Sequence, residues 1–161
     1  MLKKLLKKFI LTQNITNPAD VESKDYILKY SLPFINKFAC INVMDKYMPD
    51  MHNHNRSFIS IILKGGYMEY IRPRGRTTGE PIVKKRTVGS IIYRHHSDFH
   101  QVVPFAKTYT LYLYTPLKRR DIDWLVDGKV IPEARHWLKK GYTKEFLREM
   151  YNKQGRWNKL T

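Results

Sequence analysis

Cysteine, acidic residues and long apolar runs are what this sequence has little of. A single cysteine, Cys40, stands in 161 residues, so no intramolecular disulfide can form and nothing calls for an oxidising compartment. No apolar run approaches the ~20 residues of a membrane-spanning helix. The opening MLKKLLKKFILTQN interrupts with lysines the apolar stretch that a signal peptide needs. Acids are scarce as well: 14 Asp+Glu against 30 Lys+Arg leave a formal net charge of +16. What is there is apolar enough for a core, with 42% hydrophobic and 13% aromatic residues, which excludes a disordered chain even at this charge. The length suits one domain. The expectation is a soluble cytoplasmic domain without a transmembrane segment. Its charge invites anionic partners but does not specify a fold.

Three zones follow one another. Leu2, Leu5, Leu6, Phe9 and Ile10 recur at helical spacing with Lys3, Lys4, Lys7 and Lys8 opposite, which predicts a short basic amphipathic helix whose apolar face packs on the domain. Asn14 to Ser23 reads as a loop, with Asn17-Pro18 as breaker. Short strands are then expected at 38–44, 58–64, 67–72, 82–85, 90–94, 101–103, 109–115 and 122–126, the last paired to 129–131. Gly65-Gly66 and Asp127-Gly128 read as hairpin turns. So many short strands without long helices between them argue for an antiparallel sandwich or barrel. The end of the chain changes character: Glu133–Lys140 and Thr143–Asn152 read as helices, with Gly141 stopping the first and Thr143 capping the second. The predicted layout is one mainly β domain: an N-terminal helix and lead-in over 1–37, a β-barrel over 38–132, and a basic helical tail over 133–161.

Five of the six histidines lie in two clusters, His52 and His54 in MHNHN, and His95, His96 and His100 in RHHSDFH. Residues two apart on a strand face the same way, so His52 and His54 can hold one metal from one surface. A third imidazole from a neighbouring strand would complete a facial set with positions left open. Either cluster alone is also compatible with surface imidazoles or a polar turn.

These residues resemble the cupins, small double-stranded β-helix (jelly-roll) barrels. Their first motif is an HxH, then a glutamate, then a glycine; their second is a glycine with a histidine eleven positions on. His52-Asn53-His54 supplies the HxH and Gly65 the first glycine, while Gly89 precedes His100 by eleven positions. The resemblance thus implies His100, rather than His95 or His96, as third ligand. It runs over about 42–115, with the stretch from Gly65 to Thr87 as the barrel's intervening hairpin. The sequence departs from the pattern at Lys46, where a glycine is usual, and at Phe58, which takes the place of the motif glutamate. His95 and Ser97 stand where the second motif has proline and glycine. A three-histidine site is what the resemblance leaves. Three-histidine cupins include the thiol dioxygenases, which use ferrous iron. The layout is also similar to small uncharacterised cupins of phages and bacteria, which would place a phage-encoded chain in the host cytoplasm.

A divalent metal held by His52, His54 and His100 is therefore the expected cofactor, Fe(II) ahead of Zn, Mn or Ni. Three neutral imidazoles leave the charge on the metal. Iron would bind a substrate heteroatom and oxygen side by side, whereas zinc would activate water. Asp45 and Asp50 precede His52, and neither supplies the HxD spacing of a 2-oxoglutarate oxygenase. On the strand TYTLYLYTP the phenol of Tyr112 is a candidate acid or donor to substrate, with wall packing as the alternative. Arg94 is a candidate clamp for an anionic group, with a structural ion pair as the alternative. Arg72, Arg74 and Arg76, on a basic stretch that continues to Lys84, Lys85 and Arg86, are candidates for anion binding.

The function expected is that of a metal-dependent oxidoreductase of dioxygenase type acting on a small, anionic substrate. Two alternatives stand beside it: a non-catalytic module binding a nucleotide or nucleic acid through the basic segments, and a metal-independent sugar-nucleotide epimerase or isomerase. A homodimer is also expected, because the apolar residues on both faces of TYTLYLYTP would allow a sheet-to-sheet contact.

Overall fold

The structure is a computed structural model that describes residues 11–15, 27–31, 38–45, 50–116, 122–139 and 141–153. Ten strands follow in chain order: β1 (Leu11–Ile15), β2 (Ile27–Ser31), β3 (Ala39–Met44), β4 (Met51–His52), β5 (Phe58–Arg72), β6 (Ile82–Thr87), β7 (Ile91–Arg94), β8 (Phe99–Tyr114), β9 (Asp123–Val126) and β10 (Lys129–Pro132). Two α-helices follow among the described residues, α1 (Glu133–Lys139) and α2 (Lys144–Lys153). The helix expected over residues 2–10 lies outside the described residues. Two strands that the sequence pattern did not announce, β1 and β2, occupy part of the lead-in, and Asn14–Ile15 belongs to β1 rather than to a loop.

Two long antiparallel strands organise the molecule. β5 and β8 run 15 and 16 residues and pair from Phe58↔Tyr114 at one end to Arg72↔Phe99 at the other. On the outer edge of β5 lie β7, against Phe58–Ile61, and β6, against Gly66–Ile71. On the outer edge of β8 lie β3, against Thr108–Leu113, and β4, against His100. β2 and β1 extend the sheet beyond β3, and β9 and β10 extend it beyond β4. Two sheet halves thus share two long strands. Inward residues of both halves meet in a core of Met44, Ile62, Tyr67, Ile92 and Val102, with Cys40, Phe58 and Tyr112 beside it.

The bend between the halves corrects the reading of Gly65-Gly66 as a hairpin turn. The two glycines lie within β5, where its register against β8 shifts repeatedly between Ile62 and Tyr67. Gly65 takes φ +79, and a Cβ there would stand 2.5 Å from the Lys107 carbonyl oxygen, so only glycine fits. Thr108 fixes the bend by accepting the Gly66 N–H at 2.9 Å and donating to the Ala106 carbonyl at 2.7 Å. The positive φ needed for a hairpin turn is therefore used for a bend. Asp127-Gly128 does form the expected two-residue turn, with φ 50 and 72 between the paired Val126 and Lys129.

The helical end is close to expectation. Glu133–Lys139 is helical, and the second helix starts at Lys144 with Thr143 as its cap, Oγ1 accepting the Phe146 N–H at 3.2 Å. No helix among the described residues is long and apolar enough to cross a membrane. On the outer face of the sheet, Tyr93, Ile59 and Leu113 are cross-strand neighbours and all are exposed.

Candidate metal centre

The short strand β4 places the first ligand. His52 pairs with Trp124 of β9 on one side and with His100 of β8 on the other, so the sheet register itself sets two candidate ligands next to each other. His54 lies just beyond the strand, so strand alternation does not orient it. A backbone clamp does: the His54 N–H donates to the His96 carbonyl at 3.2 Å and the Asn53 N–H to the Asp123 carbonyl at 3.0 Å. The buried Asn53 side chain completes the clamp, Nδ2 donating to Asp123 Oδ2 at 3.1 Å and Oδ1 accepting the Asp123 N–H at 2.6 Å.

The three imidazoles converge. One nitrogen from each of His52, His54 and His100 lies within 4.8 Å of the others. The ring centroids are 4.9–5.0 Å apart, and His54 Nε2 stands 2.7 Å from His100 Nε2. Metal–nitrogen bonds of ~2.1 Å at right angles put neighbouring nitrogens ~3 Å apart, so His54 and His100 stand near the separation a shared metal ion needs, with His52 close by. Burial, followed by the neighbouring His100, lowers the His52 pKa to about 3. His52 is thus the neutral imidazole that a metal requires at neutral pH. Phe58, at the motif's glutamate position, is buried and meets His54 edge to face at 4.7 Å. The cluster offers imidazoles alone, and the wall beside it is apolar.

A carboxylate that the sequence reading missed stands behind the ligands. Glu69 Oε1 lies 3.0 Å from His100 Nδ1 and 2.6 Å from Arg94 Nη2, while Glu69 Oε2 accepts from Arg86 Nε at 2.9 Å. Burial pushes the Glu69 carboxyl up, but the hydrogen bond and charge of His100, with the guanidinium groups of Arg94 and Arg86, outweigh it and bring the pKa down to about 2. An ionised Glu69 keeps the proton of His100 on Nδ1 and turns Nε2 toward the cluster. The available signal was its setting: in YMEYIR one acid takes the inward alternation between Tyr67 and Ile71.

The remaining candidates fall at graded distances. Arg94 is buried, its Nη2 on Glu69 and its Nη1 3.5 Å from Asp98 Oδ2, so it meets the cluster through Glu69. Tyr112 is buried and faces inward; its ring packs 4.8 Å from Phe58, which in turn meets His54. Burial, then the neighbouring Tyr67 and Glu69, raises the Tyr112 pKa well above the ordinary tyrosine value, so the phenol keeps its proton. Arg72, Arg74 and Arg76 lie at the tip of the β5–β6 hairpin, where Arg74 and Arg76 are exposed. Arg72 donates to the Gly79 carbonyl. The hairpin tip is tied to the turn that leads into His100: the Arg74 N–H donates to Asp98 Oδ1 at 2.8 Å and the Gly75 N–H to the Ser97 carbonyl at 2.9 Å. His95 and His96 stay in that turn, His95 Nδ1 paired with Ser97 Oγ at 2.7 Å.

No protein-family model matches the sequence, and no characterised protein matches it. Solved structures do match by shape. The Fe(II) form of HppE superposes with a TM-score of 0.51 at 9% identity, over 66% of this chain and 56% of that one. The cupin domain of Drosophila melanogaster CENP-C gives 0.50 at 7% identity, over 66% and 70%. Hydroxypropylphosphonic acid epoxidase from S. wedmorenis gives 0.48 at 9% identity, over 66% and 55%. The protein is therefore an antiparallel β-barrel with a three-histidine cluster inside it. Its fold is the cupin fold. The matched region spans little more than half of the HppE chain, and at these identities the likeness is one of fold.

Proposed function

We propose that this cupin is a non-heme iron enzyme that oxidises a small, anionic substrate at a centre held by His52, His54 and His100. The observation that carries the reading is the convergence of three imidazole nitrogens within 4.8 Å inside the barrel. When bound, a redox-active divalent metal there supplies open coordination positions for substrate and oxygen. The chain's own groups do the rest. Glu69 fixes the tautomer of His100, the Phe58 ring keeps water from one side of the ligands, and Tyr112 keeps its proton as a donor in the adjoining wall. The hairpin tip carrying Arg74 and Arg76 is pinned to the turn before His100 and would offer positive charge to an anionic substrate. Metal analysis of protein purified without a histidine tag tests the reading, together with oxygen uptake. The expected result is one ion of iron per chain, lost in His100→Ala; an apo-protein that takes up neither Fe nor Zn, Mn or Ni overturns it.

A second reading has its own observation. Lys84 and Lys85 on the edge strand β6 are exposed, as are Arg74 and Arg76 at the hairpin tip, and this exposed positive charge suits a nucleotide or nucleic acid. It predicts binding to a single-stranded oligonucleotide that weakens steeply with salt and survives His100→Ala. Affinity indifferent to salt discards it.

A further inference from the structure

Trp124, Trp137 and Tyr142 form a line of aromatic rings that starts at a candidate metal ligand. The Trp124 ring lies 5.1 Å from that of His52, Trp137 lies 5.0 Å from Trp124, and Tyr142 lies 5.9 Å from Trp137. Trp124 is buried at 3% exposure, whereas Trp137 and Tyr142 are half-buried, so the line runs from the barrel interior toward solvent. The sequence reading used none of these three residues. Sheet register explains the first step, since Trp124 of β9 is the cross-strand partner of His52. Helix packing explains the second, since α1 lies against β9 and β10 and carries Trp137.

We infer that Trp124 and Trp137 are an electron relay, which draws an oxidising equivalent from the metal centre to the protein surface. The inference rests on the metal-centre reading. Indole, like phenol, is among the side chains most easily oxidised by one electron, and close ring contacts allow that electron to move between them. The steps balance as single-electron transfers. With a metal held by His52, His54 and His100 and over-oxidised by oxygen or peroxide without substrate, Trp124 would give up one electron to the centre and be left as an indole radical cation. Trp137 gives an electron to Trp124 and becomes the radical cation in turn. A soluble thiol or ascorbate would reduce Trp137 from outside by one electron, and while that reductant is present no bond forms or breaks in the protein.

Two features of the Trp124 site suit that role. Its indole Nε1–H is buried and donates to no group among the described residues, so no base stands ready to take the indole proton and trap the radical in place. His136 stacks on the same indole at 4.3 Å and 5° between planes, and Asp50 Oδ2 lies 3.8 Å from His136 Nε2. A carboxylate that close favours a transient positive charge on the stack.

The test loads the 161-residue protein with Fe(II), treats it with hydrogen peroxide without substrate, and reads freeze-quench electron paramagnetic resonance and peptide mass mapping. The expected result is a tryptophan radical and oxygen addition at Trp137, with His52, His54 and His100 spared. Trp137→Phe, a change at a half-buried position, should remove the mark at Trp137 and raise oxidation of the three histidines several-fold, with bound iron unchanged. Trp124→Phe should do the same wherever its melting temperature shows that it folds. Iron bound as expected, but with oxidation at the histidines equal in wild type and Trp137→Phe, overturns the relay alone. Failure to bind any iron overturns the metal centre and the relay with it.

Discussion

Glu69 accepts the Nδ1 proton of His100 at 3.0 Å, and the same carboxylate oxygen takes a hydrogen bond from Arg94 at 2.6 Å. A candidate ligand is thereby tied, through one buried acid, to a buried guanidinium on another strand. Outer partners of this kind orient the imidazole and raise its basicity. Glu69→Gln keeps the shape but removes the charge, and metal affinity should fall about 10- to 100-fold, against complete loss in His100→Ala. Competition titration with a chelating indicator measures it, and an unchanged affinity would take Glu69 out of this role.

The same acid shapes the acid stability of the metal-free protein. The Glu69 pKa falls from 4.5 to about 2 on folding. A depressed folded pKa gives stability that is full above the unfolded value and disappears as pH falls toward the folded one. Between roughly pH 5 and pH 2 the protein should therefore lose stability through this group. Glu69→Gln should be less stable at pH 7 and show a shallower loss over that window. Urea melts at stepped pH read both, and parallel profiles for the two proteins would contradict the assignment.

Gly65 offers a purely structural prediction. At φ +79, with the Lys107 carbonyl 2.5 Å from where a Cβ would stand and backbone on the far side, alanine cannot fit without moving β5 away from β8. Gly65→Ala should cost roughly 1–3 kcal/mol from the backbone conformation, with the collision in addition. Gly89, at φ +83 with nothing within 4 Å, lacks the collision and should lose less on the same change. Thermal or urea melts of the pair make the comparison, and equal losses would show that the close approach at Gly65 carries no energy.

These residues also show how far the sequence could be read. The histidine spacing was legible because it is local: HxH is three residues, and the glycine-to-histidine interval is eleven. The β-rich middle and the cap at Thr143 were legible for the same reason. Gly65-Gly66 was misread because a positive φ serves a bend as well as a turn, and only the continued pairing of β5 with β8 distinguishes them. β1 and β2 were missed because LTQNI and ILKYS carry too few apolar alternations to stand out before pairing with a neighbour. Glu69 was missed because its partners lie 17, 25 and 31 positions away. No local pattern announces an acid whose role depends on three strands meeting.

Arg94 separates a charge that stabilises from one that merely compensates. Its guanidinium is 7% exposed and the Glu69 side chain 1%, so removing one partner strands the other. Arg94→Met should destabilise the protein by about 3–5 kcal/mol, the usual result of leaving a buried charge uncompensated. Combined with Glu69→Gln, which removes that charge, the loss should be well below the sum of the two single changes. Arg86, 2.9 Å from the other carboxylate oxygen and 21% exposed, should matter less, because water and the remaining guanidinium can replace it. A double-mutant cycle by urea denaturation decides the matter. Strict additivity between Arg94 and Glu69 would mean that the short contact carries no coupling, and would leave His100 without the fixed carboxylate its orientation needs.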